Sequence, residues 1–155
     1  MSPALRDELR QRKPFTSPAE EAFLSIARTD ALLADGFEQL LKPHGISLTQ
    51  YNVLRILRGA GRAGLCRNEI RDRLVTRMPD VTRLLDRMEA VGLVSRVRDT
   101  ADRRLVTTRM TARGRKLVDA LDAPVAAEHE RRLGHLSDGQ LRTLVELLAL
   151  ARTAP

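Results

Sequence analysis

The chain has 155 residues, 43% apolar and 30% charged, with 27 Lys and Arg against 20 Asp and Glu. Apolar content at this level excludes general disorder, and the length sustains one core without metal or disulfide staples. The single cysteine, Cys66, rules out an intrachain bridge and suits a reducing compartment. No apolar h-region opens the chain and no run of about 18 uncharged apolar residues interrupts it, so a cytoplasmic protein with no membrane partner is expected.

In chain order, residues 1–16 read as an arm: Ser2 and Pro3 offer a helix start, Leu5 and Leu9 share a face, and Pro14 stops it. Ser17-Pro18-Ala19-Glu20 reads as a capping box with Pro at the first helical position. The helix it opens carries Phe23, Ile26, Leu33, Phe37, Leu40 and Leu41 on one stripe and ends before Pro43 and Gly45. Thr49 is the predicted cap of a second helix with Tyr51, Val53, Leu54 and Leu57 inward, and Gly59 and Gly61 mark its exit.

A third, short helix over about 67–74 buries Ile70 and Leu74. After a tight Val75-Thr76 connection, a fourth places Val81, Leu84, Leu85 and Met88 at i, i+3, i+4 and i+7. Pro79 is admissible only in the first turn of that helix, and Gly92 is its expected C′ residue. The period then changes to alternation through Val94–Arg98, with turn chemistry at Asp99-Thr100-Ala101-Asp102 and β-branched residues at 105–108, which predicts a hairpin. Thr111 caps a fifth helix kinked or broken by Pro124. Ser137-Asp138-Gly139-Gln140 boxes a sixth, striped by Leu141, Leu144, Val145 and Leu148.

Charge is unevenly distributed among these elements. Residues 1–48 hold 6 basic and 7 acidic side chains and 112–155 hold 7 and 6, whereas 49–111 hold 14 and 7 and carry the whole surplus, entirely as Arg. Arg pairs bidentately with phosphates and guanine edges, so this segment points to a polyanion, nucleic acid first. Readers of single strands stack bases on exposed rings, and the chain has only Phe15, Phe23, Phe37 and Tyr51, none of them among the arginines after Thr76. Double-stranded DNA fits better.

Two short helices joined by a tight turn, the second basic and amphipathic, are the pattern of a helix-turn-helix. Arg77, Thr82, Arg83 and Arg87 lie on the solvent side of the second, and Arg96, Arg98, Arg103, Arg104 and Arg109 occupy the hairpin. TRLLDRMEAVGLV, a hairpin closing on Asp102-Arg103-Arg104, and Met110-Thr111-Ala112-Arg113-Gly114 together resemble the MarR (multiple antibiotic resistance regulator) family. LTQYNVLRIL and SDGQLRTLVELL are similar to that family's second and last helices, and the likeness runs from about Phe37 to Leu150.

The resemblance implies a mainly α fold with a small β wing: a winged helix-turn-helix lobe over 49–111, with dimerisation helices at 17–48 and 112–155. It implies a transcription regulator working as a homodimer on a near-palindromic operator, with the fourth helix in the major groove and the wing in the adjacent minor groove. By the same likeness Arg77, Thr82, Arg83 and Arg87 line the groove side, Asn68 touches phosphate, Arg98 belongs to the wing, and Arg104 or its neighbour Arg103 enters the minor groove with Asp102 orienting it. Pro79 and Asp80 stand where the family more often has small polar residues. Asp80 then either accepts from a cytosine amine or pairs with Arg83.

The resemblance also implies a repressor released by a small anionic aromatic effector, for which Phe23, Arg28, His44 and Tyr51 are the candidate lining residues. Three other readings stand beside this one. Asp86 and Glu89 can neutralise Arg83 and Arg87 on an ordinary solvated face. A basic helical module can bind a protein or coat DNA without sequence preference, and Cys66 can serve a thiol-based redox switch. His44, His129 and His135 lack ligand spacing, and no nucleophile–base set or phosphate-cradling glycine loop is present, so neither a metal, a cofactor nor an enzyme is expected.

Overall fold

The structure, a computed structural model, describes residues 5–98, 100, 102 and 105–153. A one-turn helix α1 (Leu5–Glu8) precedes the long α2 (Pro18–Leu41). Ser17 caps α2 by accepting the Glu20 N–H at 3.2 Å, but the Glu20 carboxylate does not return to the Ser17 amide. It accepts instead from the N–H and hydroxyl of Thr16, both at 2.6 Å, so the expected box closes one residue earlier.

Helix α3 (Leu48–Ala60) starts two residues before the predicted Thr49 cap would allow. The cap is Ser47, whose Oγ accepts the Gln50 N–H while Gln50 Oε1 accepts the Ser47 N–H at 2.9 Å. A reciprocal box needs Glu or Gln three residues after its cap, which Ser47 has and Thr49 lacks. The short strand β1 (Leu65–Cys66) and α4 (Arg67–Arg73) follow. Asn52 of α3 accepts the Val75 N–H at 3.0 Å and so pins the connection to the next helix.

Helix α5 runs Val81–Ala90 and is capped by Asp80. Pro79 therefore lies before the helix rather than in its first turn, and Arg77 lies in the connection rather than on the helix. The chain preceding a proline is biased away from α geometry, and the Asp80 carboxylate supplies the first acceptor for the free N–H groups. Strands β2 (Val94–Arg98) and β3 (Val106–Met110) form the predicted hairpin, with Val94 opposite Met110 and Arg98 opposite Val106. The unforeseen β1 completes an antiparallel sheet of order β1-β3-β2, pairing Leu65 with Thr108.

The predicted fifth helix is two: α6 (Ala112–Ala120), capped by Thr111, and α7 (Asp122–Leu133), with Leu121 between them and Pro124 in the first turn of α7. The Thr111 hydroxyl donates to the Gly92 carbonyl at 2.6 Å and accepts the Gly114 N–H at 3.0 Å, tying α6 to the base of the hairpin. A Cβ at Gly114 would run into the Leu93 backbone carbonyl, which explains a glycine inside this helix. Helix α8 (Asp138–Ala151) ends the fold.

The core forms where the apolar stripes of α3, α4, α5 and α6 meet the sheet. Val53, Leu54, Leu57, Ile70, Leu84, Leu85, Met88, Val94 and Val118 are its buried centre, as the periodicity predicts. The stripe of α2 behaves differently: Phe37 and Leu41 are buried, while Phe23 is 71% exposed and Ile26 is also exposed. Helix α8 buries none of its residues within the subunit.

Helix α6 packs on α3 and β3, and α7 on α2, so the joint between these two packing groups falls at Leu121. Arg58 of α3 spans that joint. One of its terminal nitrogens donates to Asp119 of α6 and to Asp122 of α7, both at 2.9 Å, and the other donates to Asp122 at 2.8 Å. These carboxylates raise the Arg58 pKa above its already high ordinary value, and Arg58 lowers that of Asp122.

On α7, the buried Glu128 accepts from Arg131 at 2.6 Å and Arg132 at 2.8 Å, beside Gly36 of α2, where a Cβ would collide with the Arg132 guanidinium. Hydrogen bonds from Arg131 first and Arg132 second hold the Glu128 carboxyl at about 2, against an ordinary value of 4.5. A depressed carboxyl stabilises the fold above its unfolded-state pKa and ceases to do so as pH falls through the folded one. The stability difference between wild type and Glu128→Gln is therefore expected to be full at pH 7 and to shrink between about pH 4.5 and pH 2. Urea unfolding midpoints at pH 7, 4 and 3 measure it, and a gap independent of pH would contradict the assignment.

Candidate nucleic-acid interface

Helix α5 has two chemically distinct sides. Val81, Leu84, Leu85 and Met88 are buried, and Thr82, Arg83 and Arg87 face solvent. Asp80 begins this surface with two contacts to one residue: Oδ1 accepts the Arg83 backbone N–H at 3.0 Å, and Oδ2 lies 3.0 Å from Arg83 Nε. Of the two roles open to Asp80 from sequence, the structure contains the pairing with Arg83. Arg87 makes no ion pair among the described residues.

The acids expected to neutralise Arg83 and Arg87 are engaged elsewhere. Arg96 of β2 lies 2.5 Å from Asp86 and 2.7 Å from Glu89, and its backbone N–H donates to Glu89 at 2.9 Å. Glu89 first and Asp86 second raise the Arg96 pKa, and Arg96 lowers that of Glu89. Arg96 thus fastens the sheet to α5 rather than standing free on the hairpin. Arg98 and Arg109 remain exposed on their strands.

Asn68 is exposed near the start of α4, and Arg77 is exposed in the connection before α5. The neighbouring Arg67, which sequence reasoning passed over, donates from a terminal nitrogen to the Thr82 hydroxyl at 3.3 Å. A cation at a helix start opposes the helix dipole, and that unfavourable placement was the signal available in the sequence. Arg67, Asn68, Thr82 and Arg96 border a cavity of about 330 Å³ between α4, α5 and the sheet, with Cys66 half-buried at its edge. The exposed Asp102 accepts the Leu105 N–H through its carbonyl at 2.9 Å, while Arg103 and Arg104 lie outside the described residues.

The four candidate effector residues do not converge within the subunit. Tyr51 is a core residue whose hydroxyl accepts from Arg55 at 3.3 Å, and Arg28 lies 3.9 Å from Glu8. Phe23 sits near the start of α2 and His44 is exposed beyond its end, a helix length of about 27 Å between them. These two residues therefore stand at opposite ends of α2. Among the described residues no group of three His, Cys, Asp or Glu is placed to hold a metal, and no helix is long and apolar enough to cross a membrane.

This arrangement has close counterparts. Residues 46–106 match the MarR family model. A MarR transcription factor from Planctomyces limnophilus is 39% identical, with 88% of this chain and 99% of that one covered and a TM-score of 0.69. The chain belongs to the MarR family. YkoM, an HTH-type transcriptional regulator of Bacillus subtilis, is 30% identical over 71% of this chain and 70% of its own. A mutant MarR from E. coli complexed with operator DNA shares the fold, with a TM-score of 0.79 at 23% identity over 90% of this chain and 99% of that one. The MarR family comprises DNA-binding transcription regulators, not enzymes.

Proposed function

We propose that this MarR-family regulator is a sequence-specific, cytoplasmic repressor that binds a near-palindromic operator as a homodimer. The observation that carries the reading is the two-sided α5: a sealed apolar stripe behind an exposed Thr82, Arg83 and Arg87 surface, extended by Arg67, Asn68 and Arg77. An amphipathic helix of this kind fits the major groove, with Asn68, Arg77, Arg87 and Arg98 on phosphates or groove edges and Asp102, Arg103 and Arg104 at the wing tip.

The dimer is supported by apolar surface that the subunit leaves open. Phe23 and Ile26 on α2 and Leu144, Val145, Leu147 and Leu150 on α8 are all exposed, and a second copy would cover them. Two-fold symmetry then sets two α5 helices in successive major grooves, with half-sites about one helical turn apart. Release by a small anionic aromatic effector rests on the family likeness alone. Thermal-shift screening of phenolic carboxylates, followed by DNA release, tests it.

Selection of bound duplexes from a random pool tests the main reading. A near-palindrome is expected, bound at least roughly 10³-fold more tightly than random duplex. Equal affinity for both would identify a non-specific DNA-coating protein instead.

A further inference from the structure

We infer that Asp80 is a specificity-determining positioning residue that aims Arg83 at a guanine, and that the pair acts as one reading unit in each half-site. The inference rests on α5 entering the major groove and adds what its first turn does there.

The carboxylate of Asp80 accepts the Arg83 backbone N–H at 3.0 Å and forms an ion pair with its guanidinium, whose nearest nitrogen, Nε, lies 3.0 Å from Oδ2. The Arg83 side chain is nonetheless 84% exposed, so the pair contributes little to folding stability. Capping alone does not account for an acid at this position. Serine and asparagine cap equally well, and a carboxylate on a phosphate-facing surface repels the ligand. The geometry of the guanidinium supplies the missing reason. Its donors lie in one plane, and with the Asp80 carboxylate drawn to the Nε side the edge turned away from it is the terminal one, where both Nη groups point the same way. That edge matches the O6 and N7 acceptors of guanine in the major groove. A phosphate contact needs no such orientation, since its oxygens accept from many directions. Arg87, one turn further along, has no acidic partner among the described residues and is left for the backbone.

The test selects operators from a randomised duplex pool with wild type, Arg83→Ala, Asp80→Ser and Asp80→Asn, and measures the salt dependence of affinity for each. Serine and asparagine keep the cap, so both Asp80 variants are expected to fold, with thermal midpoints lowered only slightly by loss of the carboxylate's interaction with the helix dipole. Arg83→Ala is expected to erase the preference for guanine at one base pair per half-site, by about ten- to a hundredfold, with an unchanged salt slope. The Asp80 variants are expected to relax the same position, and Asp80→Ser to add nothing in an Arg83→Ala background.

Two outcomes would overturn the inference while leaving the regulator intact. One is a uniform loss on all sequences for Arg83→Ala with the salt slope lowered by about 1, which assigns it to phosphate. The other is an unchanged base preference in both Asp80 variants, which makes Asp80 a cap only. If Arg83→Ala and Arg87→Ala both bind the operator like wild type, the groove reading itself fails and the inference fails with it.

Discussion

Operator affinity is expected to fall by about 10³ to 10⁵ when monovalent salt is raised from about 50 to 200 mM. Arg67, Arg77, Arg87, Arg98 and Arg109 are exposed and make no ion pair among the described residues. Arg58, Arg71 and Arg96 are engaged by carboxylates, and Arg83 shares its charge with Asp80. Two subunits present enough unneutralised guanidinium groups for roughly 6 to 10 phosphates, and each phosphate contact releases condensed counterions. Fluorescence anisotropy across the salt range measures the slope. A flat response would show that these arginines do not lie on the backbone. Removing one of them, as in Arg87→Ala, is expected to lower the slope by about 1 per site.

The double substitution Val145→Asp with Leu150→Asp is expected to yield a folded monomer that binds the operator about 10² to 10⁴ times more weakly. Both residues are on α8, 64% and 68% exposed, and the helix buries nothing within its own subunit. The lobe core is therefore untouched, and circular dichroism should show the helical content largely retained. The loss comes from connectivity: once one lobe is bound, the dimer delivers the second at high effective concentration, and a monomer does not. Sedimentation velocity and the same anisotropy assay read the two effects. A dimer of full affinity would place the subunit contact elsewhere.

Most of the fold was legible because its signals are periodic or chemical. The stripe at Val81, Leu84, Leu85 and Met88 can be satisfied only by a helix with one face inward, and the β-branched alternation around Val94 and Val106 only by a hairpin. The boundaries were less legible because neighbouring residues compete for one role. Ser47 displaces Thr49 because its reciprocal partner is Gln50, and the helix expected to include Pro79 in its first turn starts after it because the Asp80 carboxylate caps it by accepting the Arg83 N–H. Strand β1 is two residues long and exists only through pairing with Thr107 and Thr108, information that lies some 40 residues away.

The candidate interface shows the same division. That arginines cluster between residues 49 and 111 is arithmetic, but which of them are free depends on three-dimensional neighbours. Arg96 looks from sequence like any other hairpin arginine and is withdrawn by Asp86 and Glu89 of α5, while Arg67 gains a role through Thr82 fifteen positions later. The candidate effector set was chosen for its scarce ring and cationic types, and type carries no distance. The length of α2 therefore separates what composition had grouped.

Where α6 gives way to α7 the main chain has no continuous helical ladder to fix its bend, and a single guanidinium from α3 grips the last turn of one rod and the first residue of the next. That bend is thus bridged by an ionic latch whose carboxylates are about half exposed, and mobile ions weaken such latches. Raised electrolyte is therefore expected to slacken this latch together with the hold of the exposed arginines on a polyanion.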